Sequence, residues 1–292
     1  MNLNFKKGLL LTSLGSFWWG FLGVLYFKYV SFIGHIELVV HRCLWTAIML
    51  IFTTTFFSKW GVFRRIISNK INLIALFFSG FLIFINWAVW IYAVATDRII
   101  DASFGYFIMP IISVLLGYIF FKENLNKKRV VSVLLVLISI MILLLFNFKA
   151  LPWVGFIVAL SWAFYNLIRK KINIDTDVGL LIESLYILPF ALGAFYLIAK
   201  AGLNDFNLSN LGFSIFLILA GPMTVIPLFL YVRGVELIGL GPTGMIFYIT
   251  PTLQFILGFF YYNEQFSLVK FISFIIIWIA VIIYLKDLYE TN

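Results

Sequence analysis

The stretches YFIMPIISVLLGYIFFKE at 106–123 and FYITPTLQFILGFFYYNE at 247–264 repeat one pattern at an offset of 141 residues. Each stretch carries a proline, a glycine seven positions later and a glutamate six positions after that. At the same offset the chain aligns the pairs Pro110 and Pro251, Gly117 and Gly258, Glu123 and Glu264, Gly80 and Gly221, and Ser132 and Ser273. Chance similarity between apolar helices would rarely keep these spacings at one offset. The repeat therefore predicts two homologous halves, 1–148 and 149–292.

The composition around this repeat indicates an integral membrane protein. Of the 292 residues, 63% are hydrophobic and only 11% are charged, and the mean hydropathy is +1.08. Soluble domains are about 45–50% apolar and about 25% charged, so this chain could not cover itself with polar surface in water. The net charge of +9 lies in short clusters between apolar runs. That pattern is typical of membrane topology and not of nucleic-acid binding.

Ten apolar runs are long enough to be helices that cross a bilayer, and none shows the alternation of a β-barrel strand. The first run follows Lys6 and Lys7 but has no cleavage site of small residues, which predicts a retained helix rather than a signal peptide. The ten predicted segments are 8–27, 36–57, 72–95, 101–121, 130–147, 151–168, 178–199, 211–231, 241–262 and 268–286. The predicted fold is all-α, with short connections and no soluble domain.

The lysines and arginines predict the orientation of the ten segments. With the N-terminus in the cytoplasm, fifteen of the 21 cations lie inside, five lie outside, and Arg42 lies within a segment. Such an excess of cations marks the cytoplasmic side, so both termini are predicted to be cytoplasmic. Because five segments is an odd number, the second half must cross the membrane in the opposite sense. Two inverted five-helix repeats with a site between them are typical of secondary transporters.

Aromatic and polar residues inside the segments predict a solute pathway. Such groups are costly in lipid and usually face a cavity or another helix. An aromatic cavity with few polar groups suits an amphipathic or cationic solute, and ordinary core packing is the alternative for each aromatic residue. The predicted pathway residues are Trp19, Arg42, Asn86, Trp87, Trp90, Tyr106, Trp162, Tyr165 and Tyr248.

Four prolines inside the predicted segments indicate bends that serve either the pathway or helix packing. Proline removes a backbone donor and frees the carbonyl four residues before it, here Tyr106 for Pro110 and Phe247 for Pro251. Pro222 and Pro227 lie in the eighth segment. Six glycines would allow helices to bend or to approach closely: Gly20, Gly23, Gly80, Gly117, Gly221 and Gly258.

The charged residues inside the segments have either a functional or a structural role. Glu37 and His41 are one helical turn apart and can pair. Arg42 lies about 9 Å into its helix, where it either holds a solute carboxylate or ties helices together. Glu183 aligns with His41 at an offset of 142. Glu183 either has a functional role, in which it couples protons or binds a cationic group, or it pairs with a cation such as Arg169. His41 is a second candidate for the functional role.

The whole pattern resembles the EamA repeats of the drug/metabolite transporter superfamily, and its detail resembles the RarD-type branch. The resemblance rests on HRCLW at 41–45, NWAVWIYAV at 86–94, ASFGYFIMP at 102–110, FKEN at 121–124, AFYNLIRKKI at 163–172, LLIES at 180–184 and YITPTLQF at 248–255. It implies a multi-pass transporter of the bacterial inner membrane that needs no ATP. The fold alone does not name a substrate.

The sequence favours a secondary transporter of small organic solutes, such as amino acids, related metabolites or drugs. Export or exchange by alternating access, with protons as a candidate coupling ion, is the leading hypothesis. The alternatives are an uptake permease, a channel or a membrane-embedded enzyme. The two histidines and the single Cys43 offer no catalytic set and no metal site, and no cofactor is predicted. The expected partners are the solute and the lipid bilayer, and both a monomer and a homodimer stay open.

Overall fold

A computed structural model describes residues 3–30, 32–95, 99–147, 153–206, 211–261 and 267–291. All regular structure in these ranges is helical. The elements of the first half are α1 (Leu3–Phe17), a π segment (Trp18–Gly23), α2 (Val24–Tyr29), α3 (His35–Phe56), α4 (Trp60–Ile67), α5 (Lys70–Ala95), α6 (Ile99–Phe121) and α7 (Lys127–Asn147). Those of the second half are α8 (Trp153–Ile172), α9 (Thr176–Lys200), α10 (Leu211–Ile218), α11 (Ala220–Ile238), α12 (Leu240–Ile246), α13 (Ile249–Phe260) and α14 (Leu268–Thr291).

Each of the ten predicted segments is helical where the structure describes it. The first segment is continuous through α1, the π segment and α2, while the eighth and ninth are each divided into two helices. The short helix α4 was not predicted, because its eight residues mix Arg64 and Arg65 with apolar side chains. Glu264, Arg98 and Lys149 lie outside the described residues.

Seven helical stretches of the described chain are long and apolar enough to cross a membrane. They are Leu3–Tyr29, Ile36–Phe56, Lys70–Trp90, Lys127–Phe146, Thr176–Lys200, Gly212–Ile238 and Leu268–Thr291. Gly105–Phe121 is apolar but shorter. Helix α8 is not among the seven, since polar residues and the cations at its end lower its mean hydropathy. The ninth segment is not among them because its break leaves helices of seven and twelve residues.

The helices pack in pairs that exchange between the two halves. Helix α1 packs along α11, and α8, the equivalent of α1, packs along α5. Helix α3 packs on α9 and α11, while its equivalent α9 packs on α3 and α5. Helices α7 and α14 pack together, as do α6 and α12. Such an exchange is expected of two homologous halves related by a pseudo-twofold axis.

The aligned glycines Gly80 and Gly221 lie where helices of the two halves approach each other. A Cβ atom on Gly221 would lie 2.6 Å from the Trp45 carbonyl oxygen, and one on Gly80 would lie 3.2 Å from that of Glu183. A side chain at Gly221 would force its neighbour to move and one at Gly80 would be tightly packed, which confirms the close approach predicted for this pair.

The prolines differ in their effect on the helices. Pro110 and Pro227 lie inside α6 and α11, which continue through them, and Pro222 lies in the first turn of α11. Pro251 follows the break between α12 and α13. The Phe247 carbonyl, predicted to lose its usual partner, accepts a hydrogen bond from the Thr250 amide at 2.9 Å. The break turns Phe247 and Tyr248 towards different neighbours.

Candidate functional site

A cavity lies between the two halves beside the π segment. It contains about 650 Å³ of space outside protein atoms, including its open mouth. Small-molecule sites are mostly apolar with a few polar groups, and the lining of this cavity has that character. Ten described residues of the first half and four of the second line it: Trp19, Gly23, Val24, Phe27, Arg42, Asn86, Trp87, Trp90, Tyr106 and Met109, with Trp162, Phe247, Thr250 and Gln254.

The structure brings seven of the nine predicted pathway residues to this cavity. The other two, Tyr165 and Tyr248, are fully buried elsewhere. The Tyr248 hydroxyl donates a hydrogen bond to the Phe107 carbonyl at 2.7 Å, and the Tyr165 hydroxyl donates to Glu183 at 3.3 Å. Whether the seven contact solute stays a prediction.

Three lining rings, those of Trp19, Trp162 and Phe247, pack with the buried Tyr231 behind them to form the floor of the cavity. The ring centroids of Trp19 and Trp162 are 5.0 Å apart, and those of Trp162 and Tyr231 are 5.3 Å apart. Phe247 lies 5.4 Å from Tyr231 and 6.1 Å from Trp19. Edge-to-face and tilted pairs at these separations are favourable and rigid. The floor joins the π segment to α8, α11 and the break after α12.

Arg42 is the one cation among the described lining residues. Its side chain is only 7% exposed, and its Nε donates to the Thr224 hydroxyl on α11 at 3.0 Å. The guanidinium carbon lies 4.5 Å from the Trp87 ring centroid and 5.1 Å from that of Phe27. These contacts hold the cation in place over two aromatic faces.

Asn86 joins the cavity wall to the second half. Its amide donates to the Val158 carbonyl at 2.8 Å and to the Ser161 hydroxyl at 3.1 Å. Both partners are on α8. The predicted need of this buried amide for partners is confirmed by these contacts.

Sequence reasoning missed several lining residues. Phe247 was singled out only for its backbone carbonyl, and neither Gln254 nor Thr224, the anchor of Arg42, was singled out. Gln254 offered a signal, since it is an amide in an apolar segment just as Asn86 is. Phe27, Val24 and Met109 offered none, because apolar residues are expected all round a membrane helix.

His41 lies outside the cavity, in a hydrogen-bonded network at the start of α3. Its Nε2 is 3.3 Å from Glu37, which confirms the predicted pair, and the Trp45 indole donates to its Nδ1 at 3.1 Å. Glu37 also accepts hydrogen bonds from the backbone amides of Asp205 and Phe206 at 2.8–3.1 Å. The network therefore anchors the loop after α9 to α3.

Glu183 lies in a second, smaller cavity that shares Trp87 with the first. Its carboxylate is 2% exposed and accepts hydrogen bonds from the hydroxyls of Ser79 and Tyr165. Arg169, from the end of α8, lies 3.7 Å away. The sequence left open a functional role for Glu183 or an ion pair with a cation such as Arg169. The structure shows the ion pair.

Glu123 lies just after α6 and closes that end of the molecule by contacts with the second half. Its carboxylate accepts hydrogen bonds from the Leu240 amide at 2.8 Å and the Gly241 amide at 2.9 Å, and it pairs with Lys170. Anions at the first amides of a helix are stabilised in this way. One residue of the first half thus holds two elements of the second.

Further ion pairs join the halves at this same end. Arg129 donates to Asp287 at 2.8 Å, and Lys59 lies 2.7 Å from Asp177 and 3.2 Å from Asp175. Partial burial opposes the charged form of Lys59, but the hydrogen bonds to Asp177 and Asp175 raise its pKa above the ordinary value. Within the described ranges, no group of three histidine, cysteine or acidic side chains is arranged to hold a metal ion.

Comparisons with known proteins agree with this geometry. The model of the EamA-like transporter family matches residues 6–145 and again residues 150–286. The uncharacterized transporter YojE of Bacillus subtilis is 33% identical over 96% of this chain and 93% of its own length. Protein RarD of Escherichia coli is 30% identical over 98% and 96%.

One solved crystal structure shares the fold with a TM-score of 0.72 over 96% of this chain and 97% of its own, at 14% identity. Two family matches, full-length relatives and the apolar helices together lead to one assignment. This chain belongs to the EamA-like transporter family, as a RarD-type, multi-pass transporter of the bacterial inner membrane.

Proposed function

We propose that this protein is a secondary transporter that moves small organic solutes by alternating access between its two halves, as an exporter or exchanger. The carrying observation is the aromatic cavity lined by residues of both halves, together with the Glu123 contacts that join the halves elsewhere in the molecule. A site that opens to one side at a time is what alternating access requires.

We propose that ten helices cross the membrane, as inverted repeats 1–148 and 149–292 with both termini in the cytoplasm. The exchange of packing partners between the halves supports the repeat. The excess of cations on one side supports the orientation. In that orientation the lining residues Arg42 and Trp90 lie towards the outer ends of their helices, and the Glu123 contacts lie on the cytoplasmic side.

Transport by purified protein in liposomes tests the function. A panel of amino acids, neutral metabolites, organic acids and amines is offered with and without a pH gradient. We expect saturable uptake and counterflow of at least one class. Flux that rises linearly with concentration would indicate a channel, and chemical conversion of the solute would indicate an enzyme. Uptake driven into intact cells against a gradient would favour the uptake permease.

Glu183 is a better candidate for proton coupling than His41. Both ring nitrogens of His41 have partners in a network that holds a loop, whereas Glu183 faces the smaller cavity behind Trp87. A carboxylate that changes protonation during transport must exchange its ion-pair partner for a proton, and Arg169 is that partner.

The variant Glu183→Gln is expected to abolish the response of transport to a pH gradient while counterflow of solute continues. Glutamine keeps the size and one acceptor oxygen, and its NH₂ group can donate to the second hydroxyl oxygen, but it cannot bind or release a proton. The readout is flux at equal and unequal pH. Glu290→Gln, which alters an exposed ion pair on α14, serves as the control. An unchanged gradient response in Glu183→Gln would show that Glu183 has only a structural role.

A further inference from the structure

We propose that the solute is an organic monoanion with an apolar or aromatic body, bound through its carboxylate by Arg42. This inference rests on the proposed transport function and narrows it. Zwitterionic amino acids and cationic drugs, which the sequence left open, are expected to bind weakly.

The guanidinium of Arg42 has donors to spare. Its Nε is used by Thr224, but no described group accepts a hydrogen bond from the two terminal nitrogens. A planar guanidinium binds a carboxylate through two parallel N–H bonds, and these two nitrogens can supply them. Because a buried cation without an acidic partner is costly, a bound anion would stabilise it.

The charge of the cavity favours an anion over a zwitterion. Among the described lining residues Arg42 is the single charged group, and the remaining polar side chains are neutral: Asn86, Tyr106, Thr250 and Gln254, with the tryptophan indoles. Two described acids on neighbouring parts of the fold are already paired. Glu37 holds His41 and the amides of the loop after α9, and Glu183 pairs with Arg169 behind Trp87. An ammonium group of a solute would find no described carboxylate here.

The lining of the cavity favours an apolar or aromatic body for the part of the solute beyond its carboxylate. Four tryptophans and two phenylalanines line it: Trp19, Trp87, Trp90, Trp162, Phe27 and Phe247. Aromatic and apolar bodies gain both burial and ring contacts on such walls. Trp87 and Phe27 already contact the guanidinium, so a carboxylate there would leave the body against the rings of the floor.

Four probes with one ring and different charge test this inference on the full chain in detergent. They are phenylacetate, phenylacetamide, phenylalanine and phenethylamine, and binding is measured by titration calorimetry. We expect phenylacetate to bind at least about tenfold more tightly than the amide, since a charge-assisted pair is roughly twice as strong as a neutral hydrogen bond. Phenylalanine and phenethylamine should bind more weakly than phenylacetate.

Variants of Arg42 test whether the preference for phenylacetate depends on this side chain. Arg42→Gln should remove the preference for phenylacetate over the amide, and Arg42→Lys should keep part of it as a point charge. Arg65→Gln removes an exposed arginine of α4 and should bind like the parent protein. Thermal unfolding of each variant shows whether it is folded. If Arg42→Gln does not fold, Arg42→Lys still tests the inference.

The inference is overturned if phenylacetamide or phenylalanine binds as tightly as phenylacetate, if none of the four binds, or if Arg42→Lys loses binding of all four equally. The transport assay separates this result from the broader proposal. Saturable transport of neutral, zwitterionic or cationic solutes without any preference for acids would leave a transporter with a different substrate class. Absence of transport for every class would contradict the transporter itself.

Discussion

Replacing Glu123 with glutamine is expected to open the closed end of the molecule and to raise the labelling rate of a thiol placed there by at least about tenfold. The carboxylate accepts from the amides of Leu240 and Gly241 and pairs with Lys170. Glutamine offers one acceptor and turns an NH₂ group towards the second amide. Leaving a partly buried donor without an acceptor costs about 1–3 kcal/mol, and 1.4 kcal/mol corresponds to a tenfold change in population.

The reporter for this prediction is Thr243→Cys in a Cys43→Ala background. Thr243 is fully buried one turn after the Glu123 contacts. Maleimide labelling in detergent, where the reagent reaches both ends, measures how often this end opens. Glu290→Gln, which breaks an exposed pair with Lys128, is the matched control and should leave the rate unchanged. Equal labelling of the Glu123→Gln and parent proteins would show that the Glu123 contacts do not keep this end closed.

Replacing Arg169 with methionine is expected to lower the free energy of unfolding by about 3–5 kcal/mol, because it leaves a charged group buried without its partner. Arg169 is 1% exposed and donates to the Thr176 carbonyl at 3.0 Å, and Glu183 lies 3.7 Å away. A Cβ atom on Gly179 would collide with the Arg169 guanidinium, so the helices are fitted around this side chain.

The double variant Arg169→Met/Glu183→Met is the test of that cause. Removing both charges should restore most of the stability, since buried pairs can often be replaced by apolar residues at little cost. Thermal unfolding in detergent measures the stability of Arg169→Met, of the double variant and of a control variant. Arg233→Gln, which breaks a pair with Glu236 in which the arginine is 44% exposed, should cost about 1 kcal/mol or less. If the double variant is as unstable as Arg169→Met, the loss comes from packing and not from the unpaired acid.

The sequence was sufficient for the helical segments because hydropathy and chain punctuation are local. A run of about 20 apolar residues has few structures open to it other than a membrane helix. The repeat likewise needed no structure, since the aligned Pro110 and Pro251 lie at one offset. The positions of helix breaks could not be predicted from the sequence in the same way. Pro110 lies in an unbroken α6, whereas the ninth segment breaks before Pro251, because neighbouring helices decide how a proline is accommodated.

The candidate site was predictable by residue type but not by direction. Trp87, Asn86 and Arg42 reach the cavity as expected, because polar and large aromatic groups inside a membrane helix need a partner or a cavity. Tyr165 and Tyr248 do not line it, since each residue turns about 100° along a helix and the partner of each face depends on the neighbouring helices. Tyr248 is directed to Phe107, while the adjacent Phe247 joins the cavity floor.

By itself the sequence determined a helical membrane protein of two repeats, with a short set of groups too polar for lipid. The tertiary structure alone decided how those groups are paired. It joined Glu183 to Arg169 and Glu37 to a loop after α9, across 14 and 168 positions of the chain. It left the terminal nitrogens of Arg42 without a described acceptor at the cavity. The physical reason is that the cost of a buried charge follows from the residue, whereas its compensation depends on which helices meet.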